Sequence, residues 1–168
     1  MPRMHWYLIH TKPRQESRAA LNLAQQGYQC YLPLMPVERL RQRALTLVLE
    51  PLFSRYLFIQ LDTSHSGQNW GPIRSTKGVA RIVTFGNLPA RVPAAIIDTL
   101  RAQDEALQQR PQRRFSPGET LRITQGPFTG IEAVYQMADG ERRALVLIEM
   151  LSKPVALKID VTSLHKVD

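Results

Sequence analysis

The stretch 55–61, RYLFIQL, decides how the chain folds. Successive side chains of a strand point to opposite faces, so the odd-numbered positions from 57 to 61 give one fully aliphatic face that suits a core. The opposite face carries Tyr56 and Phe58. Exposed aromatics on a strand are typical anchors of a protein interface, although a helix of the same domain could also cover them.

The segments around this strand predict an N-terminal α/β sandwich, in which helices pack on a mostly antiparallel sheet. Further strands are predicted at 5–11, 28–35, 44–50 and 79–86 because these segments are rich in β-branched and aromatic residues. Apolar spacing and flanking proline or glycine predict helices at 14–26, 69–78 and 93–109. The polar and basic segment 36–44 indicates an exposed loop or hairpin arm.

A second domain is predicted after this sandwich. Residues 109–117 contain proline and arginine without apolar periodicity, which indicates a linker between domains at 1–108 and 118–168. The short apolar segments ETLRIT, IEAVYQMA, ERRALVLIEML and VALKID follow, with Asp139-Gly140 as a hairpin turn. They predict a small β-barrel, so the fold class of the whole chain is α+β.

The net charge of +8 is unevenly distributed. Residues 1–100 carry 12 Lys/Arg and 5 Asp/Glu, whereas residues 116–168 carry 6 and 7. A basic excess confined to the first hundred residues favours a polyanionic partner for the N-terminal domain. A cationic surface kept for solubility is the alternative.

Several classes of protein are disfavoured by what the sequence lacks. It has one cysteine, Cys30, so neither an internal disulfide nor a CxxC metal site is expected. The four histidines show no metal spacing or triad partner, and no phosphate-binding glycine loop occurs. No apolar run is long enough to span a bilayer. We therefore expect a cytoplasmic monomer without catalytic activity, metal or cofactor.

Four motifs, in this order, give a resemblance that covers nearly the whole chain. They are WYLIHTK, EPLFSRYLFIQLD, RSTKGVARIVTFG and the pattern Gly118-(x)4-Ile123-(x)2-Gly126-(x)-Phe128-(x)-Gly130. The last resembles the KOW motif of small barrels, and together they resemble the NusG-type transcription elongation factors. Within that family, EPLF and RSTKGV look more like the specialised paralogue RfaH than like housekeeping NusG.

The resemblance implies a polymerase-binding surface on the aromatic face of the central strand. In these factors the matching face is an apolar pocket that grips the clamp helices of the RNA polymerase β′ subunit. It implies these polymerase-binding residues: Tyr56, Phe58, Ile96, Ile97 and Leu100.

The first helix predicts a nucleic-acid surface. Arg14, Arg18 and Asn22 are spaced i, i+4, i+8 and would line one side of it, where they could contact phosphates without reading sequence. The resemblance implies that this region contacts the non-template DNA strand, with Asn22 at a position where RfaH has a histidine. The full predicted DNA-binding set is Lys12, Arg14, Arg18, Asn22, Arg74, Thr76 and Lys77.

The NWG segment at 69–71 departs from the RfaH pattern. It occupies the place of a His-Thr-Thr stretch that touches the gate loop of the polymerase β subunit. A gate-loop contact through Asn69 or Trp70 and a core position for Trp70 both stay open.

Two further residues are implied to join the domains. Glu50 and Arg143 match an interdomain pair of RfaH, whose C-terminal domain folds as an α-helical hairpin that masks the polymerase site. ERRALVLIEML contains good helix formers, so such a hairpin is the alternative here. Because Pro127 and Pro154 would fall inside its two helices, where an interior proline costs about 3 kcal/mol, we expect the barrel.

The expected function is transcription elongation and antitermination by binding alone. The family implies that the N-terminal domain suppresses pausing and termination, and that the barrel recruits a small-subunit ribosomal protein or Rho. The alternatives are a housekeeping NusG-like factor that promotes Rho-dependent termination and a KOW protein that binds structured RNA. Residues on or near the implied docking strand of the barrel are Leu145, Val146, Leu147 and Ile148.

Overall fold

The computed structural model of the chain describes residues 3–64, 70–109, 131 and 133–152. The predicted linker after residue 109, the glycine-rich turn at 126–130, Asn69 and the predicted strands ETLRIT and VALKID lie outside these residues.

An antiparallel sheet forms the centre of the fold. Its strand order is β2-β5-β1-β6, and β9 also pairs with β1. The bounds are β1 Met4–Thr11, β2 Gln29–Tyr31, β5 Tyr56–Asp62, β6 Val79–Ile82 and β9 Arg91–Val92. The sandwich predicted for the N-terminal part is therefore present, with strand β5 at the predicted place.

Each face of this sheet packs on helices. The aliphatic face of β5, with Leu57 and Ile59, packs with Leu23 of α1 (Glu16–Gln25) and Ile73 of α2 (Gly71–Arg74). The other face, with Phe58, packs on α3 (Ala94–Gln109). The alternation in RYLFIQL thus separates two cores, as the period of a strand requires.

A hairpin arm extends from the sandwich. Strands β3 (Leu34–Arg41) and β4 (Ala44–Pro51) pair along their whole length, and Gln42 and Arg43 form the turn with φ of 51° and 67°. Segment 36–44 is therefore the first strand of an arm and its turn. The register places four leucines on one face, where they are 42–71% exposed: Leu40, Leu45, Leu47 and Leu49.

The predicted strand at 79–86 is divided. After β6, the chain forms a small hairpin of β7 (Thr84–Phe85) and β8 (Leu88–Pro89). Gly86 at its turn has φ of 64°, which a glycine adopts without strain. The helix predicted at 69–78 is also shorter, since α2 has four residues. A strand of two residues is too short to show an alternating pattern, so the sequence does not predict β8 and β9.

The strand prediction for ERRALVLIEML is wrong. Ala133–Gln136 form a 3₁₀ turn, and Gly140–Ser152 form a helix, α4. Asp139, predicted as a hairpin turn, instead caps this helix, because its carboxylate accepts a hydrogen bond from the Glu141 amide at 2.9 Å. The described helix reaches Ser152, and Pro154 lies outside the described residues. The described part of the C-terminal segment is therefore helical, as in the alternative to the barrel.

One glycine fixes how α1 meets the loop before β6. Gly78 has φ of 94°, and a Cβ there would lie 2.8 Å from the Ala19 amide nitrogen. We expect Gly78→Ala to cost about 2 kcal/mol or more, since positive φ and a clash with backbone act together. Chemical denaturation would measure the loss, and Gly86→Ala is the control because nothing lies within 4 Å of that position. Equal losses in the two variants would show that the close approach to α1 is unimportant.

Candidate functional site

The aromatic face of β5 is covered by α4. Phe58 is fully buried in one cluster with Ile96 and Leu100 of α3 and with Leu147 and Leu151 of α4. Phe53 meets Phe58 edge to face, with ring centroids 6.1 Å apart. Helix α4 therefore occupies the surface that the sequence predicted as a docking site.

The structure brings the five predicted polymerase-binding residues onto this face. Phe58 and the three predicted residues of α3 are buried, whereas Tyr56 lies at the edge and is half-buried. The Tyr56 ring is 4.9 Å from the ring of His10. Tyr56 is thus the member of the set that stays accessible while α4 is in place.

Arg143 fastens α4 to the N-terminal part of the chain. Its side chain is 1% exposed, and its Nε donates to the Leu52 carbonyl oxygen at 2.5 Å. Its Nη1 donates to the Met137 carbonyl oxygen at 2.6 Å. Burial lowers the pKa of this guanidinium from its usual value. A buried charge keeps its place only when it is hydrogen-bonded, so these two carbonyls are what hold Arg143 inside.

Glu50 does not form the direct pair with Arg143 that the resemblance implied. Its carboxylate accepts two hydrogen bonds from Arg39 across the arm, at 2.6 and 2.7 Å. These bonds hold the pKa of Glu50 below its usual value. Within residues 3–64, 70–109 and 133–152, the salt bridge of Glu50 is with Arg39. Arg143 reaches the same region through the backbone of Leu52 instead.

A second contact between α4 and the loop after β4 involves a glycine. The Ser54 amide donates to the Gly140 carbonyl oxygen at 3.2 Å. A Cβ at position 140 would collide with the Ser54 hydroxyl oxygen. The first turn of α4 therefore lies directly on this loop.

The helix separates the four residues predicted to dock a partner on a barrel strand. Leu147 is buried against the aromatic face, Val146 and Ile148 are half-buried, and Leu145 is 69% exposed. They do not form one surface in this structure, because consecutive residues of a helix point in different directions.

Predicted DNA-binding residues meet on the other side of the sheet, where α1 lies beside the loop after α2. Arg18 and Lys77 are exposed there. The side-chain amide of Asn22 donates to the Lys77 carbonyl oxygen at 3.3 Å. The backbone amide of Lys12 donates to the Gly78 carbonyl oxygen at 2.9 Å. We call Lys12, Arg18, Asn22 and Lys77 the basic face.

Three residues of the predicted set lie elsewhere or act differently. Arg14 is not on α1: it precedes the helix and has φ of 61°. Thr76 is buried, and its hydroxyl donates to the Pro72 carbonyl oxygen at 2.9 Å, so it supports the loop that carries Lys77. Arg74 is exposed on α2, beside Trp70, whose ring meets Tyr7 edge to face at 5.0 Å.

Sequence reasoning missed two contributors to these surfaces. Gln26 donates from Nε2 to the Thr76 hydroxyl at 2.8 Å and joins α1 to the loop after α2. Gln26 follows Asn22 by four residues in the predicted helix, so the two lie on the same side of it. This spacing could have indicated Gln26 as a neighbour of the basic face. Phe53 was missed although it follows Leu52 in the EPLF motif, since a residue between strands has no alternating pattern to reveal its burial.

In the part of the chain that the structure describes, no helix is both long and apolar enough to cross a membrane.

Comparison with known proteins relates the chain to one family. The family model described as "Transcription termination factor nusG" matches residues 4–101, more than half of the chain. The NusG of Thermus thermophilus, a "Transcription termination/antitermination protein", is 25% identical, with 97% of this chain and 98% of that protein covered. The NusG of Escherichia coli K12 is 23% identical, with 98% and 97% covered.

A solved structure is also similar, "Domain interaction in Thermotoga maritima NusG". It is 19% identical and superposes with a TM-score of 0.44 over 62% of this chain and 59% of that chain. The sequence matches, and not this superposition, show the relationship. The matched residues 4–101 include the sheet, the covered aromatic face and the basic face. Because this match covers more than half of the chain, the chain belongs to the NusG family of transcription termination/antitermination factors.

Proposed function

We propose that the chain is an antitermination factor of the RfaH type, which binds RNA polymerase through the aromatic face of β5 and non-template DNA through the basic face. The observation that carries this proposal is the burial of Phe58 under α4. A factor that binds polymerase constitutively has no use for a covered site, whereas a factor restricted to particular genes needs one.

The partner of the aromatic face is proposed to be the β′ clamp helices. A sheet face with aromatic and aliphatic side chains beside α3 offers a concave apolar surface once α4 leaves. Partner helices bind such grooves with an apolar stripe, as α4 itself does here.

The basic face is proposed to hold the backbone of a single DNA strand. Arg18 and Lys77 are exposed on neighbouring elements, and the amide of Asn22 links them through the Lys77 carbonyl. A surface of cations held by the fold suits phosphate contacts that position a strand.

The C-terminal segment is proposed to recruit a small-subunit ribosomal protein or Rho, as the resemblance implies. Leu147 is buried against the aromatic face, so it cannot meet such a partner while α4 is in place. Recruitment and polymerase binding would then both require the same release of α4.

A housekeeping NusG-like factor that promotes Rho-dependent termination is the second candidate. The names of the matched relatives contain both termination and antitermination, so they are compatible with it. Deletion of the gene would separate the two: a general loss of Rho-dependent termination supports the housekeeping role, and an effect on a few long operons supports the specialised one.

Binding to immobilised core RNA polymerase tests the proposal, and it is measured in the full chain carrying Arg143→Met, because α4 covers the aromatic face in the wild type. We expect Tyr56→Ala to weaken this binding about tenfold or more, the size of effect typical of an aromatic anchor at an interface. Tyr56 is half-buried, so the variant should fold. Leu21→Ala is the control, since Leu21 is 60% exposed on α1. A chain that binds bare structured RNA tightly and polymerase not at all would favour an RNA-binding protein instead.

The basic face has its own prediction. Arg18→Gln should weaken binding of single-stranded DNA uniformly across sequences and reduce the slope of log affinity against log salt by about 0.7, the value for one phosphate contact on a single strand. Titrations at several salt concentrations measure both quantities. Arg142→Gln, on the exposed side of α4, is the matched control with the same loss of charge. Equal slopes for the two variants would contradict a specific contact at Arg18.

A further inference from the structure

A cavity of about 490 Å³ opens beside α2. Its walls come from α2, the end of β6 and the β7–β8 hairpin. Cavities of this size hold small ligands in many proteins. None of the functions proposed above uses it. The side chains that the argument needs are Trp70, Arg74, Ile82, Thr84, Asn87 and Pro89.

The chemistry of the walls is that of a site for a planar ring. Trp70, Ile82 and Pro89 supply apolar surface, and Thr84 and Asn87 supply a hydroxyl and an amide at the rim. The Trp70 ring is held edge to face against Tyr7, with centroids 5.0 Å apart, so one wall is fixed by the core. Mostly apolar walls with a few polar groups are typical of ligand sites.

The charge beside the cavity indicates which ligand carries the ring. Arg74 lines the cavity and is exposed, and within the described residues it forms no salt bridge. An arginine free to meet a phosphate beside a fixed aromatic wall is the combination by which proteins hold single-stranded nucleic acid. Trp70 and Ile82 of the cavity pack in the same core as Leu23 of α1, so the cavity lies on the same side of the sheet as the basic face.

We propose that this cavity receives one base of a single DNA strand, stacked on Trp70, while Arg74 contacts the adjoining phosphate. Thr84 and Asn87 then hydrogen-bond the edge of the base and give the site its preference among bases. The proposal rests on the proposed function in one respect, namely that a DNA strand is held on the basic face. It adds a second binding site, in the cavity beside α2, that recognises a base.

The experiment uses the full chain and fluorescein-labelled 12-mers of deoxythymidylate and deoxyadenylate. Removal of a base-stacking aromatic costs about 1–3 kcal/mol, so we expect Trp70→Ala to weaken binding of the preferred oligomer roughly 5- to 150-fold. Because Trp70 packs on Tyr7, a second variant guards against misfolding. Asn87→Asp is isosteric and exposed, and its negative charge should also weaken binding. Leu88→Ala, next in the same turn and 73% exposed, should leave binding unchanged.

Intrinsic fluorescence gives an independent reading, since the chain has two tryptophans. Trp6 is 7% exposed and lies under the guanidinium of Arg101, 5.3 Å from its ring centroid. Quenching on addition of DNA should therefore come from Trp70. It should disappear in Trp70→Phe, which keeps an aromatic ring and most of the affinity.

Each outcome decides between the possibilities. Weaker binding by Trp70→Ala and Asn87→Asp together with quenching supports the site. Wild-type affinity in both variants, while Arg18→Gln binds more weakly, overturns the cavity site and leaves the basic face standing. Wild-type affinity in all three overturns both. Equal quenching by free thymidine monophosphate at the same concentration overturns the DNA strand as ligand and assigns the cavity to free nucleotides.

Discussion

Replacing Arg143 with methionine is expected to release α4 from the aromatic face. Methionine fills much of the same space but donates no hydrogen bond, so the Leu52 and Met137 carbonyls lose their charged partner. Hydrogen bonds to charged groups contribute about 1.5–3 kcal/mol, which corresponds to roughly a 10- to 150-fold shift from the covered to the uncovered form.

Hydrogen exchange of the amides in 140–152 would measure this shift directly. In the variant these amides should exchange faster by the same factor, while those of β1 and β5 keep their protection. Arg142→Met is the matched control, because Arg142 is next to Arg143 in sequence but is exposed on the outer side of the helix. Unchanged exchange in the Arg143 variant would show that apolar packing alone holds α4.

Release should also raise affinity for core RNA polymerase, if the aromatic face is its binding site. Arg143→Met should then bind more tightly than the wild type, and addition of Tyr56→Ala should cancel part of the gain. A variant that exchanges faster and yet binds polymerase no better would separate the opening of α4 from the proposed function.

Replacing Phe58 with alanine is expected to give the largest loss of stability of any single change on this face. Phe58 is fully buried between Phe53 and Tyr31, with ring centroids 6.1 Å away in each case. Truncation of a buried phenylalanine costs about 3–5 kcal/mol, through lost apolar contact and the cavity that remains. The melting temperature should fall by roughly 10 °C or more.

Calorimetry of the full chain would measure this fall. Leu21→Ala is the control for loss of a large apolar side chain, because Leu21 is 60% exposed and should change stability by less than about 0.5 kcal/mol. A Phe58 variant that melts within 3 °C of the control would mean, on the same scale of a few degrees per kcal/mol, that Phe58 is packed far less tightly than its full burial indicates.

Local patterns were sufficient for most of the N-terminal part. The alternation in 55–61 predicted β5 and its two faces. The apolar spacing of Ala20, Leu23 and Ala24 predicted α1 within two residues of its ends, although the buried apolar positions are Ala19 and Leu23. Arg14 was placed wrongly because the helix begins at Glu16, after a turn with left-handed backbone that residue type alone does not indicate.

The C-terminal error has a specific physical origin. The buried positions of α4 are Arg143, Ala144, Leu147 and Leu151, which are spaced as on one side of a helix. Because Arg143 is charged, the sequence does not show it as part of an apolar stripe. The group that accepts its hydrogen bond is the Leu52 carbonyl oxygen, which is far away in sequence. The helix formers of this segment agree with α4, but no window of neighbouring residues contains the tertiary contact that buries Arg143. The same holds for Glu50, whose partner Arg39 lies across the hairpin.

The close approach of Gly78 to α1 also bears on how such a factor can diverge. Side chains of the basic face that point to solvent, such as Arg18, can be exchanged without disturbing the packing, so the charge of this face can change within a lineage. Position 78 has no such freedom, because any side chain would push the Lys77 loop away from α1. Relatives are therefore expected to vary at 18 and to share the glycine at 78.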